Sequence, residues 1–357
     1  MEGSRPASRG PRGRGPSINF PYLSMRPTFP ASDHCDGEHF FNPPGWRTPP
    51  AFSSLPKWWA QQLFLGQRKS WPRTVPAPAT PALPAIVPAG QMAVTFIGHS
   101  TFLLQLPGLN ILTDPIFSPR ASPFAWAGPK RIRPPALTLA QLPPVDFVLL
   151  SHNHYDHLDL AALRWLAREK NLVVFTPLGN KSWLEKRGVG RTVELDWWQA
   201  HAARPELKVT CTPAQHFAAR WPWDRGRSLW GGFALETGVG RIYFAGDSGH
   251  CPGFQAIGER LGPFDLSFLP IGAYEPRWFM EPVHCTPDEA VRVHREVRSR
   301  QSVGMHYGTF QLTDEGIEEP LDALAAARSV HGVPAAEFTT MEFGETRWFG
   351  AATIASL

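Results

Sequence analysis

Charge is scarce in this chain. Only 18% of its 357 residues are Asp, Glu, Lys or Arg, against about 25% in ordinary globular proteins. The formal net charge of +4 is mild. It favours anionic surfaces, but no arginine stripe interleaved with aromatics stands out, so nucleic-acid recognition is not expected. Cysteine is rarer still. Cys35, Cys211, Cys251 and Cys285 form no C-x-x-C pair, which argues against a thiolate zinc site and a disulfide framework and fits a reducing compartment. No run approaches 18 consecutive apolar residues, so no transmembrane helix is expected. Residues 1–15 carry four arginines with no apolar stretch behind them, unlike a secretory signal. The expected location is cytoplasmic, with any membrane contact peripheral.

Proline, by contrast, is abundant at 38 residues, and 43% of the chain is hydrophobic, enough for a sizeable core. Residues 1–50, rich in Pro, Gly, Ser and Arg, read as a disordered or loosely draped tail, because such composition buries too little apolar surface to offset chain entropy. Within 51–91, residues 55–66 (LPKWWAQQLFLG) read as a short helix presenting Trp58, Trp59, Leu63 and Leu65 to something apolar, and 76–88 as an extended Pro/Ala linker. A catalytic domain is expected over 92–357. Its strands are expected at 92–98, 101–106, 109–113, 145–150, 193–195, 207–212, 232–236, 241–244, 266–269 and 302–305. Helices are expected over 158–169, 181–187, 286–297 and 318–330. The third of these opens on Thr286-Pro287-Asp288-Glu289, a capping box with proline in the first turn. Two successions of strands followed by helices fit an α+β sandwich of two mixed sheets with helices outside.

The most informative stretch is His152-Asn153-His154-Tyr155-Asp156-His157, three imidazoles and a carboxylate in the pattern H-x-H-x-D-H. Imidazole nitrogen and carboxylate oxygen suit zinc and similar divalent ions. A helix would spread such a run around its circumference, whereas a tight turn after the strand at 145–150 aims it at one spot. His216, Asp247 and His306 each follow a short apolar run, so each marks the end of a strand. These seven ligands from four strand ends would hold two metal ions: His152, His154 and His216 on one, Asp156, His157 and His306 on the other, with Asp247 bridging. A lone buried histidine after a strand is more often a hydrogen-bonded core residue. It is the H-x-H-x-D-H run that makes the downstream residues its partners.

The run, the order of the later ligands and the flanking strands resemble the metallo-β-lactamase superfamily. Three further segments resemble the N-acylphosphatidylethanolamine-hydrolysing phospholipase D family: Thr113 to Pro123 (TDPIFSPRASP), Leu195-Asp196-Trp197-Trp198, and Gly262-Pro263-Phe264-Asp265 continuing through Pro270 to Met280 (PIGAYEPRWFM). The resemblance covers about residues 92–330. It implies an αββα sandwich, two zinc ions, cleavage of a phospholipid phosphodiester to phosphatidic acid, and a homodimer. In one place the chain departs from the family: Val283-His284 stands where the family carries a Gln–His pair, so a hydrogen-bond donor near the substrate is lost.

The remaining assignments follow from these. Asp156 and His284 are the candidate catalytic residues, His284 as a proton donor to the leaving oxygen or a phosphate contact, or else a cap near the Thr286 helix. Asp114 either fixes the tautomer of a ligating histidine or is a turn residue before Pro115. His99 either approaches the pocket or hydrogen-bonds in the core, and His250 has no assigned task. Though the charged residues there could equally form a buried pair holding two loops together, Tyr155, Tyr274 and Arg277 are candidate substrate contacts, with Glu275 beside them. So are Trp221 and Trp223, in a segment of three Trp and three Arg at 220–230 that reads as a lipid-facing rim or as a loop packed on the sheet. The expected partners are a phospholipid substrate and a membrane surface. Two rival readings stand beside this one: a dizinc hydrolase of a lactone or nucleotide phosphodiester, and a non-catalytic metal-bound binding protein.

Overall fold

The structure, a computed structural model, describes residues 28–66, 68–168 and 172–350. The expectations for residues 1–27, for 169 at the end of the 158–169 helix, and for 351–357 lie outside the described residues. Among the described residues, fourteen strands form two seven-stranded sheets. In chain order the strands of the first are β1 (Gln91–Gly98), β2 (Thr101–Leu106), β3 (Leu109–Thr113), β4 (Phe147–Leu149), β5 (Val173–Pro177) and β6 (Arg191–Leu195). Those of the second are β7 (Ala200–Arg204), β8 (Leu207–Thr212), β9 (Gly232–Thr237), β10 (Gly240–Phe244), β11 (Phe264–Pro270), β12 (Ser299–Met305) and β13 (Phe338–Thr339). The last strand, β14 (Thr346–Gly350), crosses back to pair antiparallel with β1 and closes the first sheet.

Both sheets are mixed. In the first, β3, β4, β5 and β6 pair in parallel, while β1, β2 and β3 alternate. In the second, β10 to β13 are parallel and β7 to β10 alternate. Strands β1, β3 and β4 therefore share one direction, as do β8, β10, β11 and β12. Their carboxyl ends form one rim, the usual place for a ligand site in sheets with parallel strands.

Strand periodicity explains the layering. On β2, Phe102 and Leu104 enter the core between the sheets, where the Phe102 ring meets Phe268 at 4.5 Å, while Leu103 enters the layer outside the first sheet. That outer layer is built by α2 (Leu160–Leu166), with Leu163 and Leu166, and by Leu184 of α3 (Lys181–Glu185), α1 being Leu55–Leu65. Because these strands are covered on both faces they read as continuous apolar runs. The other sheet is covered by α4 (Gly253–Leu261), α6 (Pro287–Glu296) and α7 (Glu319–His331), while the short α5 (Arg277–Met280) packs on Trp58 of α1. The capping box expected at Thr286 is present: Glu289 N–H donates to Thr286 Oγ1 at 3.1 Å and Thr286 N–H to Glu289 Oε2 at 2.8 Å. This is the αββα sandwich.

Two readings of the N-terminal part are corrected. Within 28–50 the chain is pinned rather than draped. Cys35 and Phe40 are buried, Phe40 N–H donates to the Gly226 carbonyl at 2.7 Å, and His34 stacks on Trp197 at 4.3 Å with Nε2 at 2.9 Å from Asp196. A few apolar and aromatic side chains here find partners that composition cannot reveal. In α1, Trp58 does not face outward. It is buried against Phe279, Met280 and Val283 and donates Nε1–H to Asp314 at 3.0 Å, while Trp59, Leu63 and Leu65 are exposed.

Burial disfavours charge on His34, but Asp196 and Asp33 outweigh it and raise its pKa above the usual imidazole value. The docked segment thus binds a proton more tightly than the free one, so this contribution is full below about pH 6.5 and fades as pH rises through the folded value. Limited proteolysis within 28–50 should accelerate with rising pH across that range. His34→Ala should loosen the segment by about 1–2 kcal/mol and abolish the pH dependence.

Candidate metal centre

Each expected ligand lies just past a strand end on the common rim. The loop after β4 carries His152, His154, Asp156 and His157; His216 follows β8, Asp247 follows β10 and His306 follows β12. Backbone strain is concentrated here. His99 after β1, Asp114 after β3 and His306 all have positive φ, at 57°, 29° and 65°, and such conformations persist where the surroundings over-determine them. Gly246, which sets the direction of Asp247, has φ 62°, and a Cβ there would lie 2.7 Å from Ser151 Cβ and 2.8 Å from the Gly231 carbonyl oxygen. Only glycine fits.

The structure brings the seven residues together in two overlapping groups. In one, His154 Nδ1 lies 2.9 Å from His152 Nε2 and 3.2 Å from His216 Nε2. In the other, Asp156 Oδ2 lies 3.4 Å from His157 Nε2 and 3.3 Å from His306 Nε2. Asp247 Oδ2 sits between them, at 3.0 Å from His157 Nε2, 3.1 Å from His306 Nε2, and 3.9 Å from both His152 and His216 Nε2. Each triad offers ligand atoms within 4.8 Å of one another.

Hydrogen bonds on the far side of the rings orient these nitrogens. His157 Nδ1–H donates to Asp114 Oδ2 at 2.7 Å, and Ser151, which takes His152 Nδ1–H on its Oγ at 2.9 Å, passes its own proton to Asp114 at 2.6 Å. His216 Nδ1–H donates to the Val283 carbonyl at 2.9 Å. With Nδ1 donating outward, each Nε2 faces the centre; burial disfavours charge on His157, but Asp247, Asp156 and Asp114 outweigh it and hold its pKa well above the usual imidazole value. Asp114 thus serves three groups, since it also accepts the Ser151 N–H at 2.7 Å.

The electrostatics fit a cation. Burial holds His152 well below the normal imidazole value, His154 at about 3 and His216 at about 4, so all three are neutral at ordinary pH. Burial also disfavours charge on His306, yet Asp247 and Asp156 lift it to about 9. The carboxylate pair therefore demands positive charge between its members, and His157 Nε2 and Asp247 Oδ1 are left buried without a hydrogen-bond partner. Converging imidazoles, two ionised carboxylates and orphaned ligand atoms are a donor set suited to a metal cation.

His99 joins the centre. Its Nε2 lies 3.1 Å from Asp156 Oδ2 and it groups with Asp156, His157 and His306. Its only sequence signal was its place after a strand, which equally suits a core residue. His284 lies beside the cluster with Nδ1 4.0 Å from Asp247 Oδ2, and burial keeps its ring neutral. His250 is remote and pairs with Glu296 at 2.9 Å.

The expected substrate contacts are placed differently. A cavity of about 190 Å³ opens over the cluster, floored by His154, Asp156, His216, Asp247 and His284. Its wall is mostly apolar, with Phe52, Leu55, Phe217, Met280 and Val283, and carries one cation, Arg225. Tyr155, Tyr274, Arg277, Trp221 and Trp223 do not line it. Tyr155 points out of the opposite side of its loop under Arg220; Tyr274 is buried. Arg277 braces the His284 carbonyl at 2.9 Å and Glu289 at 2.9 Å, and the Trp221 and Trp223 rings stack on each other at the surface. Phe52 and Leu55 escaped sequence reading because they lie in a segment with no motif.

Residues 109–307 match the model of the beta-lactamase superfamily domain. The chain is 43% identical over 263 residues to N-acyl-phosphatidylethanolamine-hydrolyzing phospholipase D 1 of Caenorhabditis elegans, covering 70% of this chain and 74% of that one. It is 31% identical to a metal-dependent hydrolase of Caldivirga maquilingensis over 63% of this chain and 86% of that one. The structure of Igni18, a metallo hydrolase from Ignicoccus hospitalis, superposes with a TM-score of 0.56 at 24% identity, over 73% of this chain and 99% of that one.

Asp114→Asn should disturb both His157 and the Ser151–His152 relay without touching a ligand atom. We expect metal affinity, measured by chelator competition, to fall about 10–100-fold.

Proposed function

The chain belongs to the metallo-β-lactamase superfamily as a metal-dependent hydrolase, and from that premise we propose that it is a dinuclear zinc phosphodiesterase acting on N-acylphosphatidylethanolamine-type phospholipids at a membrane surface. The products are phosphatidic acid and an N-acylethanolamine. The observation that carries this reading is Asp247 Oδ2 lying 3.0–4.0 Å from imidazole nitrogens of both triads and of His284, beneath a cavity whose wall is mostly apolar and holds one arginine, Arg225.

His152, His154 and His216 would hold one ion, Asp156, His157 and His306 the other, with Asp247 between. Bound there, two divalent ions lower the pKa of a water toward about 7 and neutralise phosphate oxygens. The chain's own residues do the rest. The apolar wall excludes bulk water and accepts the glycerol and acyl part of a lipid, while the phosphate meets the polar floor. His284, neutral and on that floor, would donate a hydrogen bond from its ring N–H to a phosphate or leaving oxygen, and the departing alkoxide would take its proton from water. His99 holds Asp156. The Val283 side chain adds to the wall against Trp58, Phe279 and Met280, in place of the family amide.

The exposed Trp59, Leu63, Phe64 and Leu65 of α1 lie on the helix whose Leu55 lines the cavity, which supports entry of the substrate from a bilayer. Among the described residues no helix is long and apolar enough to cross one. A nucleotide diester is less well suited, because the wall offers a base few hydrogen-bonding groups.

Incubation of the protein with N-acylphosphatidylethanolamine should yield phosphatidic acid by mass spectrometry. Two zinc ions per chain should be found, and Asp247→Asn should lower turnover by more than about 100-fold together with metal content. Cleavage of a soluble diester or lactone without any phosphatidic acid would overturn the lipid assignment in favour of the rival hydrolase. Metal binding with no hydrolysis of any of them would leave only the binding protein.

A further inference from the structure

The loop that delivers the metal ligands has a second face. His154 and Asp156 point to the cavity over the cluster, and Tyr155 between them points the other way, into a separate open cavity of about 400 Å³. The two share no lining residue. They are neighbours nonetheless: Leu312, which lines the first, and Tyr155, which lines the second, pack on one small cluster around Ile116 and Phe310.

Four arginines line this second cavity, Arg120, Arg164, Arg187 and Arg220, against a single carboxylate, Asp159. That carboxylate is already engaged. One oxygen accepts the Phe117 and Ser118 N–H groups at 3.0 and 2.7 Å, and the other caps α2. No ion pair joins any of the four arginines to a carboxylate among the described residues. Their hydrogen bonds go instead mainly to backbone carbonyls, Arg120 to Ala125 and Gly128, Arg164 to Arg187, Arg187 to Trp183, Arg220 to Asn153 and Leu158, with Arg220 also meeting the Tyr155 hydroxyl. Two of the guanidiniums, Arg187 and Arg220, lie over the same Trp183 ring at 4.0 and 5.1 Å. Bonds to neutral carbonyls fix the side chains in place without neutralising them, and only Arg220 feels nearby carboxylates, Asp224 and Asp159, neither of them in an ion pair with it. A guanidinium presents five N–H donors, so each retains donors for a ligand. Like charges gathered this way repel unless an anion joins them, and forked donors match phosphate oxygens.

One edge of the cavity is aromatic. Trp221 lines it, stacks on Trp223 at 5.1 Å and meets Phe124 edge-on at 6.1 Å, and Phe124 meets Trp126 at 5.4 Å. Trp126 and Trp223 are 79% and 75% exposed, unusually open for rings of that size. Tryptophan beside arginine is the composition of a headgroup-level membrane contact.

We propose that this arginine cavity is a second phosphate site, distinct from the metal centre, which seats the phosphate of an anionic phospholipid headgroup while the Phe124–Trp126–Trp221–Trp223 collar rests in the bilayer interface. It does not depend on which substrate the metal centre cleaves. Since Arg220 also holds the Asn153 and Leu158 carbonyls at either end of the ligand loop, a headgroup bound here bears on the loop from behind.

The test is co-sedimentation of the full chain with phosphatidylcholine vesicles, with and without phosphatidylglycerol, beside hydrolysis of a soluble chromogenic diester. The parent should favour the anionic vesicles. Arg164→Gln with Arg187→Gln should lower that preference about tenfold or more, and Trp126→Ala should lower binding to both kinds of vesicle. Soluble diester cleavage, if the parent shows it, should be unchanged in both variants; otherwise unaltered circular dichroism serves as the check of folding. Equal binding of the double variant and the parent to anionic vesicles overturns the proposal. So does protection of Arg164 and Arg187 from a guanidine-modifying reagent by inorganic phosphate in a protein that binds neither vesicle, which would make the site one for free phosphate. Because phosphatidylglycerol is read by binding alone, failure of the phospholipase reading leaves this result intact.

Discussion

A carboxylate buried among imidazoles governs this structure. Asp247 is 3% exposed and lies within 4.0 Å of ring nitrogens from five histidines, His152, His157, His216, His284 and His306. An ionised group removed from water is costly unless it is paired or coordinates a metal. The surroundings supply the partners at the price of local strain: Gly246 in a conformation and a space that admit no side chain, and His99, Asp114 and His306 in the left-handed region. Such features survive because two large β-sheets, packed through rings such as Phe102 and Phe268, fix the strand ends that carry them. The sandwich is what makes the strained rim affordable, and the rim is what makes the sandwich a hydrolase.

The orienting shell shows how the chain separates roles between backbone and side chain. At Val283 the carbonyl fixes His216, and that task is indifferent to the residue's identity. The side chain is free to vary and here joins the apolar wall. The loss of an amide at this position therefore alters what the cavity presents to a substrate and leaves the histidine's orientation untouched. Asp114 is the opposite case. Its two oxygens serve Ser151 and His157 at once, so no other side chain of similar size can replace it.

What was legible in sequence follows from this physics. The seven ligand positions could be read because metal chemistry restricts them to few residue types, and because short apolar runs ahead of them mark strand ends. Strands such as β2 and β8 were legible to the residue, being apolar runs bounded by turn residues. Strand β7, Ala-His-Ala-Ala-Arg, was not; its residues have little strand preference, and it exists by pairing with β8 at a sheet edge. Strands β5 and β14 and helices α4 and α5 were likewise unforeseen. His99 was ambiguous because its partner, Asp156, lies 57 positions away. Arg277 stood between two readings because a cation near a pocket and a cation bracing a loop look alike until Glu289 and the His284 carbonyl are seen to claim it.

The N-terminal segment carries the last step. Pro- and Gly-rich composition argues for a chain that stays loose, and the argument fails within 28–50 because it counts average apolar content rather than particular rings. Phe40, Trp46 and His34 meet Trp197 and its neighbours, and a few residues later Phe52 and Leu55 close one side of the cavity over the metal centre. The candidate metal ligands thus come from the sandwich, whereas part of the wall of the cavity above them comes from a segment outside it. The first is constrained by coordination chemistry and the second only by shape and hydrophobicity. Substrate preference in such a protein is free to change through the segment while the metal chemistry stays fixed.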